Sequence, residues 1–558
     1  MNGAQILRQF ETLKNKRQPL EYIWRECYRV TFPERGRSLT TGRPGVADSS
    51  QNQTDQARIY DNTAADACKV LASALVSGLT PSNSIWAYIE TMNEELPTAA
   101  ATWLEEASRR LHKDIHASNF DAANFEAMLD VVVTGMCCLF IDQTDDAPYH
   151  FELWDLGSCY FASSLRNGPI DIIYHPFRIS ALQAVNEYGD QVSTKTREIL
   201  KRDPFTLVDF VLAITPRPAA DMKTVKGQAL PYVSHHIELD TQQIVKESGF
   251  HELPVVVPRW VKIPGSDYAT GPMSAALPDT KTLNEVERLV LANADMAIAG
   301  MWGAVDDGVL NPRTVRVGAR KIVFMRDKES FFPLASGGKF DVSAIISQDK
   351  RASIRRSLMA DQLEPLQGGP ARTATEVAAR VNQVRMLLGP NYGRLQAEYL
   401  QRLVFRCFGI SLRRGDLGQP PPELQDHSLR LKYVSPLARS QRMEDVAAME
   451  HLEMSLLNIG KMGLTGVLDG YDWDEAQRTK GQLLGVPGVL LLDDKQVGTL
   501  REERQKAQQA QQQAQQPTTP ASPSAVAGQP PETGPGPGET PDAGGMAEIM
   551  KLLGTNHG

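Results

Sequence analysis

The chain has 558 residues, room for three or four folding units at roughly 150 residues each, with the 42% hydrophobic and 23% charged content of a globular protein. Against 59 Lys and Arg stand 67 Asp and Glu, a net charge of −8. That excludes a broad basic coat for nucleic acid and confines any phosphate contact to local patches, or to one patch repeated in an oligomer. The six cysteines follow no framework spacing and read as buried thiols of a reducing compartment. No apolar run is long enough to span a bilayer, and the first residues lack the apolar core of a secretion signal, so a soluble protein made inside the cell is expected.

Ile6, Leu7, Phe10 and Leu13, then Leu20, Ile23, Trp24 and Cys27, recur at helical spacing and predict a helix ending at Phe32-Pro33-Glu34-Arg35-Gly36. Residues 37–57 are polar and read as a long loop. Ala64, Cys68, Leu71, Leu75 and Leu79 mark a second helix; Trp103, Ala107, Leu111 and Ile115, then Phe125, Met128, Leu129 and Val132, mark two more. Between Met136 and Trp260 the runs MCCLFID, YHFELWD, DIIYHPFRI, FTLVDFVLAI, YVSHHIEL and ELPVVVPRWV predict strands, with helical insertions near 180–200.

Residues 279–299 return to a helix on Leu283, Val286 and Val290. TVRVGA and KIVFMRD predict a small β module, and a second helix at 342–363 carries Ile354 and Leu358. The loop from Glu364 to Pro370 precedes a third helix, capped at Thr373 or Thr375 with Glu376 in capping-box register to Thr373. Its stripe of Val377, Val381, Val384, Leu388, Leu395, Tyr399 and Leu403 should bend at Gly389-Pro390. Residues 437–504 read as helical, with Val446, Met449, Leu452, Leu456 and Ile459 as one periodic set. Residues 505–516 suit an extended helix or disorder, 517–545 hold too little apolar surface to fold, and Met546 to Leu553 suit a short docking helix. The fold class is α+β, mainly helical.

Chemistry is sparse. Gly338-Lys339 is followed by Phe340 where a phosphate loop needs Ser or Thr, and the glycines at 534, 536 and 538 alternate with prolines and follow no strand. His112 and His116 have metal-compatible i, i+4 spacing, but Lys113 stands where HExxH needs glutamate, so a solvated helix face is expected. His235 and His236 are strand neighbours pointing to opposite faces. Asp145-Asp146, Asp306-Asp307 and Asp493-Asp494 sit beside turns and read as caps. No catalytic, metal or cofactor site is expected. Basic residues do cluster: Arg313, Arg316, Arg320, Lys321, Arg326 and Lys328 on the β module, and Lys350, Arg351, Arg355 and Arg356 on the helix after it. In a monomer these are solvated faces; in a ring each becomes a circle of positive charge.

The segments WRECYRVTFPERG and IYDNTAADACKVLASALVSGLTPSNSIWAYI, then LPDTKTLNEVERLVLANADMAIAG, RTATEVAARVNQVRMLLGPNYGRLQAEYL, YVSPLARSQRMEDVAAMEHL and LGVPGVLLLDDKQVGTLREER, in this order and spacing, resemble the portal proteins (head-to-tail connectors) of short-tailed double-stranded DNA bacteriophages. The resemblance runs to about Arg504. It implies a dodecameric ring at one capsid vertex of the virion, assembled in the host cytoplasm, that conducts double-stranded DNA non-specifically during packaging and ejection. It also implies contacts with major capsid and scaffold proteins, the terminase large subunit, and head-tail adaptor and tail proteins, but no membrane and no cofactor. In these terms residues 1–276 would be the wing, 277–299 and 343–363 the stem helices and 300–342 the clip. Residues 364–372 would be the channel loop, 373–436 the wing's long helix and return, 437–504 the crown and 505–516 a barrel helix, ahead of the 517–558 tail. Lys350, Arg351, Arg355, Arg356, Gln367, Gly368, Gly369 and Arg372 are the expected channel residues. The clip cations at 313–328 are the expected docking residues for terminase and adaptor. A scaffold or tail-assembly protein without a channel, or a DNA-packaging enzyme, are the alternatives.

Overall fold

The computed structural model describes residues 2–41, 55–91, 98–144, 147–218, 230–299, 301–304, 331–334, 340–363, 389, 391–424, 429–433, 436–461, 466, 470–484, 497–504 and 506. Helix α1 (Gly3–Thr31) opens with a capping box between Asn2 and Gln5. Its first turns bury Ile6, Leu7, Phe10 and Leu13 against a sheet, and its later turns carry Trp24, Cys27 and Tyr28 into the main core. One helix therefore joins two cores. It stops at Phe32-Pro33 as expected, and Arg35 of the following turn reaches Asp130 (2.9 Å), which also accepts from the Tyr28 hydroxyl (2.9 Å). The expected loop after Gly36 begins with a short helix, Arg37–Thr41, because Leu39 has a core position to fill.

α2 (Thr63–Leu79), β1 (Ala87–Thr91), α3 (Thr98–Ala117) and α4 (Phe120–Thr134) follow. α4 is buried nearly all round and ends at Gly135, whose φ of 94° suits glycine. β2 (Cys138–Asp142) and β3 (His150–Trp154) pair antiparallel; β4 (Tyr160–Ala162) and β5 (Ile172–Ser180) begin a larger sheet. Then come α5 (Ala181–Tyr188), α6 (Thr194–Arg202), β6 (Leu207–Pro216), β7 (Tyr232–Glu238), β8 (Ile244–Phe250) and the short β9 (Val255–Val256), β10 (Val261–Lys262) and β11 (Ala269–Thr270). The larger sheet runs β4-β5-β6-β7-β8, all antiparallel, with α1 on one face and α5 and α6 on the other. Pro176 is tolerated because β4 pairs only with Ile172 to Tyr174, leaving that side of the strand open.

α7 (Pro272–Ala299) leads into β12 (Met301–Ala304); β13 (Phe331–Leu334) pairs antiparallel with it and leads to α8 (Phe340–Ser357). The helix expected over 279–299 begins earlier, at Pro272, and runs through Pro278. After Met359 (φ 57°) comes a short turn of helix, Ala360–Leu363. Residues 391–395, a π turn at Gln396–Leu400 and α9 (Gln401–Arg414) form one continuous helical run. β14 (Leu429–Tyr433) pairs back onto β1, a contact invisible to local patterning across so long a stretch of chain. α10 (Pro436–Lys461) and α11 (Trp473–Leu484) pack together. Their joint is partly polar: Lys480 and Glu453 pair at 2.5 Å, with Tyr471 on the same carboxylate. Leu452, expected in the buried stripe, is exposed. Residues 492–558 form a separate unit, described only at helical residues 497–504 and at 506. Among the described residues no helix is long and apolar enough to cross a membrane.

Candidate functional site

The helix pair α7–α8 carries the charged residues that sequence singles out. Its base is anchored by Met273, Ala276 and Leu283 of α7 and Ile354 of α8, with Leu358 just beyond, all in the main core. Further along, apolar side chains face solvent: Leu289 and Leu291 on α7, Ile345 and Ile346 on α8, 41 to 69% exposed. The pair is thus rooted in the body and bare above it.

Charge is arranged mainly at the root. Lys350 Nζ donates to Asp279 (2.8 Å), which also accepts from Ser353 Oγ (2.6 Å). Those two bonds hold the Asp279 carboxyl below its ordinary range. Arg351 bridges Asp61 and Glu287, each at 2.8 Å. Burial alone would raise the Asp61 carboxyl, but the hydroxyl and N–H of Thr63 together with Arg351 more than offset it. Beside this bridge, Asn284 accepts from Tyr60 N (2.7 Å) and donates to the Arg58 carbonyl (2.8 Å). Lys281 pairs with Glu26 of α1 at 2.6 Å. The helix pair is therefore bracketed to α1 and to the segment before α2 by polar contacts.

Of the four cations on α8, Lys350 and Arg351 sit opposite carboxylates of the same chain; Arg355 and Arg356 are exposed positions in the last turn. Gln367, Gly368, Gly369 and Arg372 lie outside the described residues, as do the cations from Arg313 to Lys328; only the strands flanking that module, β12 and β13, are described. Sequence reasoning missed Asp61, Asp279, Glu287 and Asn284, since nothing local distinguishes a carboxylate facing an arginine from one facing water.

The other candidates resolve plainly. His112 and His116 are not on a solvated face: they are half-buried with rings 4.5 Å apart, beside Trp86 and Phe120, because α3 turns this side toward α4. His116 is fully occupied, by Asp121 at Nδ1 (2.7 Å) and by the Trp86 N–H at Nε2 (3.2 Å). His235 and His236 point apart, the latter toward the Tyr188 hydroxyl (3.0 Å). All six cysteines are buried thiols. The aspartate pairs at 145, 306 and 493 and the glycines at 338 and 534–538 lie outside the described residues. Among the described residues no group of three or more His, Cys, Asp or Glu could hold a metal.

The α7–α8 pair thus flanks a strand pair, pairs Lys350 and Arg351 with carboxylates at its root and leaves Leu289, Leu291, Ile345 and Ile346 bare above. The family model for the bacteriophage head to tail connecting protein matches residues 3–491, and the chain belongs to that family. The portal protein of Salmonella phage epsilon15 is 27% identical over 518 residues, 90% of this chain and 91% of that protein. The probable portal protein of Bordetella phage BPP-1 is 27% identical over 523 residues, 89% and 90% of the two chains. Among solved structures, a chain of the native gene transfer agent virion aligns over 81% of this chain and 98% of its own at 13% identity and a TM-score of 0.34. A chain from the neck of the native particle, computed with C12 symmetry, aligns over 73% and 91% at 14% identity and a TM-score of 0.33.

Proposed function

We propose that this chain is the portal subunit of a double-stranded DNA phage, twelve copies closing into a ring at one capsid vertex. The observation that carries this is membership of the head-to-tail connecting family across residues 3–491. The bare apolar residues Leu289, Leu291, Ile345 and Ile346 support it, since a neighbouring copy in a closed ring would cover them. In this reading α7 and α8 are the stem, the module between them the clip, and residues 364–372 the channel loop.

The role is a conduit, with no chemistry of its own. A duplex must slide, so its wall should hold phosphates weakly. Lys350 and Arg351 suit that demand poorly as DNA contacts because carboxylates already face them. Arg355 and Arg356, exposed in the last turn of α8, with Gln367, Gly368, Gly369 and Arg372 of the loop, are the proposed pore contacts. The clip cations Arg313, Arg316, Arg320, Lys321, Arg326 and Lys328 would receive the terminase large subunit and then the adaptor and tail proteins, with capsid and scaffold proteins around the ring. Mass measurement and negative-stain imaging of the purified protein test this: a ring with a channel passing B-form duplex is expected, and a monomer under every assembly condition would overturn it.

A further inference from the structure

Residues 391–414 form one helical run with a single irregularity, the π turn at Gln396–Leu400. A π turn holds one residue more than the α-helix it interrupts, and such turns are rare. Here the turn is held at Glu398, Gln396 and Tyr399 by contacts from three separate parts of the chain. Arg259, almost wholly buried, binds Glu398 through its backbone N–H (3.1 Å), Nε (3.0 Å) and Nη2 (2.5 Å). The Gln396 carbonyl accepts both the π-type bond from the Gln401 N–H and the Tyr433 hydroxyl (2.9 Å) from β14. Tyr399 donates to Asn124 of α4 at 2.6 Å.

The two sides of the turn are anchored unequally. Downstream, α9 is pinned by Arg406 and Arg413 on Glu252, by Tyr149 on Ser411, and by buried Leu403, Val404, Cys407 and Ile410. Upstream, among the described residues, 391–395 are held by buried Tyr392 and Leu395 and by a bond from Arg394 to the Trp260 carbonyl (3.1 Å). Just before them stands Gly389, whose positive φ of 32° makes a joint other residues rarely adopt.

We infer that the π turn is a latched register device: Arg259, Tyr433 and Asn124 hold the extra residue in place, and releasing them lets residues 391–395 advance one helical position against a stationary α9. One position is a rotation of about 100° with a rise of about 1.5 Å. The mobile piece is short, has a glycine joint at one end and a stored residue at the other, and its long arginine can let go and rebind. In the portal reading such a step would change the pitch of the helix joining wing to stem, but the device itself does not depend on that reading.

Hydrogen exchange followed by mass spectrometry on the purified full-length protein tests it. The comparison is wild type against Tyr433→Phe, Glu398→Gln and a chain lacking the exposed Ala397, which removes the extra residue. Both latch variants should exchange roughly tenfold faster at residues 391–401 while 403–414 keep wild-type protection. The deletion should leave 391–401 at least as protected as in wild type, since a plain α-helix remains. Equal acceleration across 391–414 would mean ordinary loosening and overturn the device; so would wild-type exchange in both latch variants. Should the deletion fail to fold, Tyr433→Phe, which removes one hydroxyl, decides alone. These readings hold whether or not the protein forms a ring, so failure here is distinguishable from failure of the portal assignment.

Discussion

Arg351 separates two roles that sequence could not: a pore charge and a fastening for the α7–α8 helix pair. Truncating it in Arg351→Ala strips one 2.8 Å bond each from Asp61 and Glu287, carboxylates whose side chains are 9% and 19% exposed. A hydrogen bond to a charged partner contributes about 1.5–3 kcal/mol. Arg351 itself is 42% exposed, and solvent screening brings the expected loss for both bonds together to about 2 kcal/mol. Arg351→Lys keeps the charge, but one ammonium cannot span both acids, so it should recover about half. Arg356→Ala, at an exposed position, should cost less than about 0.5 kcal/mol yet reduce packaged DNA. Thermal melting of the purified variants, set beside DNA content per particle, reads both effects. If Arg351→Ala melts like wild type, or Arg356→Ala falls equally far, the division between fastening and pore charge is wrong.

Acid should weaken the large sheet. Burial pushes His175, stacked on Trp154 at 4.1 Å, down to about 3, and burial with Lys246 and His235 nearby pushes His236 down to about 4. An unfolded histidine titrates near pH 6.5, so from pH 6.5 down to the folded values the unfolded chain binds more protons and stability falls with pH. At pH 5 each histidine should cost about 2 kcal/mol, and His175→Phe should remove its share of the pH dependence; a difference between variant and wild type that stays constant from pH 7.5 to 5 would refute this. Gly135→Ala would set a Cβ 2.3 to 2.6 Å from the backbone of Thr270 and Gly271 at a φ of 94°. A loss of at least about 3 kcal/mol is expected, visible as a lowered melting temperature or insolubility. Burial pushes the Cys27 thiol up to about 11 and also raises Cys68, Cys137, Cys138 and Cys407, so iodoacetamide at pH 8 should label none of these five until the protein is unfolded.

By itself the sequence determined the elements whose signal is local. The stripe of Ile6, Leu7, Phe10 and Leu13 made α1, Pro33 ended it, and the β-branched runs from Cys138 to Val256 became strands because one face of each is buried. The edge strand β8 was illegible, since Lys246, Glu247 and Ser248 face solvent and break the alternation that a buried face imposes. The pairing of β1 with β14 and the bridge from Arg351 to Asp61 and Glu287 belong to tertiary structure alone. So does the π turn, for an extra residue in a helix shows only against the partners, Arg259 and Tyr433, that hold it. The physical reason is common to all three: apolar periodicity is written in neighbouring residues, whereas a strand edge, a charge or a hydroxyl acquires its meaning only from what the fold sets opposite it.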